Sequence, residues 1–281
     1  MKRRFNRRFE KDRTPSGTVV AHFRAAFTGG REVRDKEVEE DDGLGLVHYR
    51  GGKEEFRLGS EYSNSNDPLD RAVGAKILAE LGWGDETYLE DSVGILLRLL
   101  GDPESVVVAA AAAAFAHRSD DRAIPDLVRL VPSPDPAVRY GVTVGLAGND
   151  DSDAVAALIA LSRDEDRDVR DYAVFALGSH TDLDTPELRE ALHVAMGDSD
   201  PEIRGEALVG LAERKDERVK PALIEEWKTD EISILSLEAA EVLADPDFLP
   251  YLEEMGEFLD EETDEYFQEQ LAAAITACGG E

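Results

Sequence analysis

Cysteine is nearly absent: Cys278 stands alone in 281 residues, which excludes an internal disulfide and a multi-cysteine metal site. Aromatic residues make up only 7% of the chain, while alanine and valine abound. Small apolar side chains of this kind suit closely packed helices better than a sandwich or a barrel. No stretch approaches the roughly 18 uninterrupted apolar residues of a membrane span. The arginine-rich start, Met1 to Arg13, is followed by no apolar core of a secretory signal. These absences lead to the expectation of a reducing, cytoplasmic setting and no membrane partner.

Basic charge is scarce too. Against 62 Asp and Glu stand only 31 Lys and Arg, a net charge of −31. Phosphate contacts need a basic face, so nucleic acid is not expected as a partner. Lys228 is the last basic residue, and 16 acids follow it to Glu281 with no Lys or Arg among them. The N-terminal tip has the opposite character: Lys2, Arg3, Arg4, Arg7, Arg8, Lys11 and Arg13 face only Glu10 and Asp12. Charge asymmetry of this kind concerns partners and solvation rather than fold.

What the chain has in abundance is repetition, the first thing to seek in a sequence. Pro136-Ala-Val-Arg139 recurs as Arg167-Asp-Val-Arg170 and as Pro201-Glu-Ile-Arg204, so that Val138, Val169 and Ile203 are spaced by 31 and 34 residues. Leu146, Leu177 and Leu211 follow at the same spacings. Val107 and Phe115 extend the pattern backward, and Leu235, Ala239 and Leu243 extend it forward. Within a unit, Val169, Tyr172, Ala173, Ala176 and Leu177 fall at i, i+3, i+4, i+7 and i+8, the apolar stripe of an α-helix. Asp67, Asp102, Asp135, Asp166 and Asp200 precede the first helices, and all but Asp166 are followed by proline. Aspartate at the N-cap accepts orphan backbone N–H groups, and proline is favoured just inside the helix, where its missing N–H costs nothing. Second helices are expected over 123–131, 154–162, 186–196, 219–227 and 248–255.

The run Asp-Pro-x-Val-Arg followed by Ala-x-x-Ala-Leu-Gly, best matched by Asp166 to Gly178 and Asp200 to Ala212, resembles the HEAT-like repeats of the phycobilin-lyase type. The resemblance covers residues 67 to about 275 and implies an all-α fold, an α-solenoid or α-α superhelix of stacked HEAT-like helical hairpins. Expected units are about 41–66, 67–101, 102–134, 135–165, 166–199, 200–231 and 232–262, with a C-terminal cap over 263–281. Residues 41–66 read as a degenerate helical repeat in preference to a β-hairpin at Gly51-Gly52. Residues 1–40 show no secure period and are expected to be a partly mobile segment with a basic tip.

Little in the chain suggests catalysis. His22, His48, His117, His180 and His193 are scattered over different units, without a His-x-x-x-His or His-Glu pair. There is no Gly-x-x-x-x-Gly-Lys-Ser/Thr loop, and Gly43-Leu-Gly45 lacks the later glycine of a dinucleotide loop. Asp150, Asp151 and Asp153 read as a polar turn with an N-cap rather than a calcium site. Neither an enzyme, a metal nor a cofactor is expected.

Arg139, Arg170 and Arg204 each follow a capping aspartate (Asp135, Asp166, Asp200) by four residues and read as a structural Asp/Arg ladder reaching a neighbouring unit's acid. The candidate partner-binding residues lie at the acidic end: Trp227 and Tyr251 as aromatic anchors, with Glu253, Glu254, Glu257, Asp260 and Glu261 around them. They point to a protein-binding scaffold or adaptor with a basic protein partner. Overall length, repeat number and the run Ile203 to Val219 also resemble bacterial HEAT proteins that include immunity proteins of Rhs-type toxins, which implies an inhibitor of a basic toxin. The repeat type carries an alternative, a phycobilin (chromophore) lyase-like protein or its partner subunit. A DNA-repair scaffold of the alkylpurine glycosylase group would need a basic groove, and the charge is of the wrong sign.

Overall fold

The computed structural model describes residues 13–28, 44–81, 88–228, 232–257, 259 and 264–279. Among these residues all regular structure is helical: sixteen α-helices and two short 3-10 turns. The chain is an all-α solenoid of stacked helical hairpins, and it divides into two compact units, 1–146 and 147–281.

The first unit holds α1 (Ser16–Thr28), α2 (Leu44–Arg50), α3 (Lys53–Tyr62), α4 (Pro68–Glu80), α5 (Leu89–Leu99), α6 (Ser105–Ala114), α7 (Ile124–Leu130) and α8 (Pro136–Leu146). Helices α4, α6 and α8, the first helices of their hairpins, stack on one another. Residues 44–62 are helical on both sides of Gly51, which turns the chain at φ +50. Helix α1 falls in the stretch without a secure sequence period. It packs on α2, α3 and α4 through Val19, Val20 and Phe23, and Ser16 donates 2.5 Å to Glu55. The basic tip through Asp12, and residues 29–40, lie outside the described residues.

The second unit holds α9 (Ser152–Leu161), α10 (Arg167–Ser179), α11 (Pro186–Ala195), α12 (Pro201–Glu213), α13 (Val219–Glu226), α14 (Ile234–Leu243), α15 (Leu249–Glu257) and α16 (Glu265–Ala277). Here α10, α12, α14 and α16 form the stacked row.

The capping chemistry explains where the helices start. Asp67 accepts from Leu69 N, Asp135 from Ala137 N, Asp166 from Asp168 N and Val169 N, and Asp200 from Glu202 N. The arginine four residues later closes each turn from outside. Arg71, Arg139, Arg170 and Arg204 all donate Nη1 to the carbonyl two residues before the capping aspartate: Ser65, Ser133, Asp164 and Asp198. Arg71 and Arg170 also reach the next unit. Arg71 grips Asp102 at 2.7 and 2.8 Å, and Arg170 holds Asp198 at 2.9 Å. A third rung comes from a neighbouring position, Arg167 to Asp200 at 2.8 Å. Common to all four arginines is therefore the grip on their own turn.

The repeated apolar positions form the core. Val107, Phe115, Val138, Leu146, Val169, Leu177, Ile203 and Leu211 are at most 2% exposed. Small residues let the rows approach closely: a Cβ on Gly210 would lie 2.5 Å from Gly178 Cα, and one on Gly145 would lie 2.2 Å from the Ala112 carbonyl. The pattern weakens on α14, where Ala239 is buried but Leu235 and Leu243 stay half-exposed.

Candidate functional site

Two of the expected anchor residues behave differently from what the sequence suggests. Trp227 is 8% exposed. It closes the inward stripe Val219, Leu223, Trp227 at i, i+4 and i+8, donates Nε1 to Ser236 Oγ at 3.0 Å, and meets Phe248 edge-on at 5.3 Å. A buried, hydrogen-bonded indole is a packing residue and not a surface anchor; the spacing of those three residues carried that signal. Tyr251 packs on the same indole at 6.3 Å and is half-buried. Among the described residues the exposed aromatic of this region is Tyr266 on α16, 58% accessible.

The acids fare otherwise. Glu253, Glu254 and Glu257 project from α15 into solvent, while Leu252 turns inward. Asp260 and Glu261 lie outside the described residues. Cations are scarce in this unit's last hairpins: Lys220 bridges Asp245 and Asp247 at 2.7 and 2.6 Å, and Glu241 accepts from Gln270. Glu238, Glu253, Glu254, Glu257, Asp264, Glu265 and Glu269 have no ion pair among the described residues.

A second carboxylate group lies along the stacked row. Glu206 on α12 is half-buried. Burial first, then the nearby carboxylates of Asp171, Glu238 and Glu202, push it up to about 7. Burial also raises Asp171 and Glu238. The cation beside Asp171, Arg167, is already shared between Asp171 at 3.1 Å, Asp200 and Glu202. Its hydrogen bonds hold the Asp200 carboxyl down at about 2. Ladder residues thus satisfy one another, whereas Glu206 and Glu238 face like charge.

The remaining candidates take structural roles. Asp151 caps α9 by accepting from Asp153 N and Ala154 N, and Asp150 accepts from Thr181. Cys278 is buried and donates weakly to the Ala240 carbonyl, and burial pushes its thiol up, away from nucleophilic use. Two histidines distant in sequence do meet: His48 and His117 each place Nδ1 3.3 Å from the Glu80 carboxylate. Among the described residues no group of three or more His, Cys, Asp or Glu is placed to hold a metal. No helix there is long and apolar enough to cross a membrane.

Stacked two-helix units, aspartate-capped and arginine-clamped, define an α-solenoid scaffold that offers long rows of side chains to a partner. The sequence pattern of HEAT repeats matches residues 57–147, 93–168 and 155–244, and the chain belongs to that family. It is 30% identical over 218 residues to Protein YibA of Escherichia coli K12, covering 75% of this chain and 77% of that protein. The X-ray structure of E. coli YibA superposes with a TM-score of 0.65 and 22% identity over 96% of this chain and 94% of its own. An engineered protein superposes at 0.50 with 18% identity, over 94% of this chain and 79% of that one. These structures share the fold.

Proposed function

We propose that the chain is a non-catalytic protein-binding scaffold whose partner is basic, engaged through the carboxylate-rich surface of α14–α16. One observation carries this reading: seven described carboxylates on three successive helices have no cation to answer them. Like charges at i, i+4, such as Glu253 and Glu257, destabilise a helix by about 0.2–0.5 kcal/mol per pair. A partner that supplies the missing cations turns that cost into affinity and a steered, salt-sensitive encounter. The reach of this field is the Debye length, about 10 Å at 0.1 M salt.

The test is affinity capture from native cells at low and high salt, with mass spectrometry, using the intact chain beside the triple variant Glu253→Gln, Glu254→Gln, Glu257→Gln. A stoichiometric basic protein held by the intact chain at low salt, and lost both at high salt and by the variant, supports the reading. Equal capture by both chains sinks it. The finer form is an inhibitor of a basic toxin, as the resemblance to immunity proteins suggests. Co-expression with toxins encoded beside it then restores growth; failure to neutralise any of them removes that form and leaves the scaffold.

A further inference from the structure

At one repeat position the earlier first helices hide an aliphatic side chain: Val107, Val138, Val169 and Ile203 are at most 2% exposed. On α14, capped by Ser233, that position belongs to the buried Ser236. The residue before it, Leu235, stands where α8, α10 and α12 carry Ala137, Asp168 and Glu202; it lies over Gly205 and stays half-buried. It opens onto a cleft of about 590 Å³ across the N-terminal ends of α12, α14 and α16, with Pro201, Ile232, Ile234 and Phe267 on its apolar walls. An aliphatic side chain at a position the repeat gives to an outward-facing residue, on the wall of an open apolar cleft, marks a surface suited to an occupant.

Charge decides which occupant. Glu202 and Asp264 line the same cleft. One helical turn further in lie Glu206, four residues after Glu202 on α12, and Glu238, four residues after Ile234 on α14. The groups that face Glu206 are Asp171 on α10, Glu202 on its own helix and Glu238 on α14. Arg167, already committed to Asp171, Asp200 and Glu202, shows how a guanidinium seats in this carboxylate row. A second copy of a chain carrying net −31 would bring repulsion to this flank, whereas a Lys or Arg beside an apolar side chain satisfies both the wall and the rim.

We propose that this cleft takes a segment of a basic partner protein, its apolar side chain against Ile232, Leu235 and Phe267 and its adjacent lysine or arginine against Glu206 and Glu238. The inference rests on the scaffold reading and narrows it to one groove and one peptide chemistry. Because the partner's cation meets Glu206 as a carboxylate, binding is tighter at pH 8 than at pH 6.

The probe is a fluorescein-labelled twelve-residue peptide alternating lysine with leucine and phenylalanine, titrated by anisotropy into the full chain. One control peptide carries serine at every apolar position and another carries glutamate at every lysine. The expected result is saturable binding at least tenfold tighter than to either control. Ile232→Asp, a change outside any helix, weakens it about tenfold. Glu206→Gln weakens it about threefold and abolishes the difference between pH 8 and pH 6. The α15 triple glutamine variant leaves it within about twofold. Binding that ignores both groove substitutions, or equal binding of the serine control, overturns the groove. A chain found dimeric by light scattering and made monomeric by Ile232→Asp also overturns it, because a second copy then fills the cleft. Loss of native-partner capture by the α15 variant with groove binding absent refutes this inference alone, whereas intact capture by that variant refutes the scaffold reading itself.

Discussion

Replacing Glu206 by glutamine makes the protein more stable at pH 8, although it removes a charge from a highly charged chain. Glu206 titrates near 7 in the fold against an ordinary 4.5, chiefly because it is buried and then because Asp171, Glu238 and Glu202 surround it. A carboxyl group whose folded value is raised binds more protons folded than unfolded between those two values, so stability falls as pH rises through that window. The full shift corresponds to a ceiling of about 3 kcal/mol at pH 8. Water at the partly open side of Glu206 screens part of this, leaving about 1–3 kcal/mol. At pH 4 the group is neutral in both states and the advantage of glutamine shrinks to a few tenths of a kcal/mol. Urea unfolding of both chains at pH 8, 6 and 4, followed by circular dichroism, measures this directly. The variant has the higher midpoint at pH 8, and the gap closes on acidification. A variant that is equal to or weaker than the intact chain at pH 8 refutes the argument.

Other predictions follow from the packing and the ion pairs. Gly210→Ala pushes a methyl into the backbone of α10 at 2.5 Å and lowers stability by about 1–2 kcal/mol in urea unfolding, overpacking outweighing helix propensity. Gly94→Ala, a helical glycine on α5 with nothing within 4 Å of its new methyl, raises stability by about 0.5–1 kcal/mol in the same assay. Arg214→Ala strands five carbonyls, those of Leu177, Gly178, Thr181, Leu183 and Gly210. It lowers the thermal midpoint by an amount equivalent to about 2–4 kcal/mol. Asp200→Asn keeps the N-cap but loses the pair with Arg167. The lost stability, about 1 kcal/mol, is present above the ordinary aspartate value near 4 and vanishes as pH falls through about 2.

Much of the fold is legible in the sequence because its signals are local. Asp-Pro at Asp67, Asp135 and Asp200 combines an N-cap with a favoured first residue, and the i, i+4, i+8 stripes lead from the same places. Helix α1 escapes such reading because it occurs once, outside any repeat, and gains its stability from packing on α2–α4. The acidic surface is legible as composition, but its geometry is not. Trp227 looks like an anchor beside acids and is instead a core residue, since its helix carries Val219 and Leu223 inward on the same stripe. Leu235, 32 residues after Ile203, looks like its counterpart, but Ser233 caps α14 one residue later than that spacing implies, so Ser236 takes the buried position and Leu235 the outward one. Glu206 is missed altogether: its neighbours Asp171 and Glu238 are 35 and 32 residues away, and only stacking brings them together. His48 and His117 meet Glu80 for the same reason.

The most direct test of the central claim is the association rate of the captured partner, measured by stopped flow across about 20–500 mM salt for the intact chain and the α15 triple glutamine variant. A carboxylate surface that steers a basic protein predicts a rate that falls steeply with salt for the intact chain, and a slower, flatter dependence for the variant. Rates that coincide for the two chains, or that do not change with salt, contradict it.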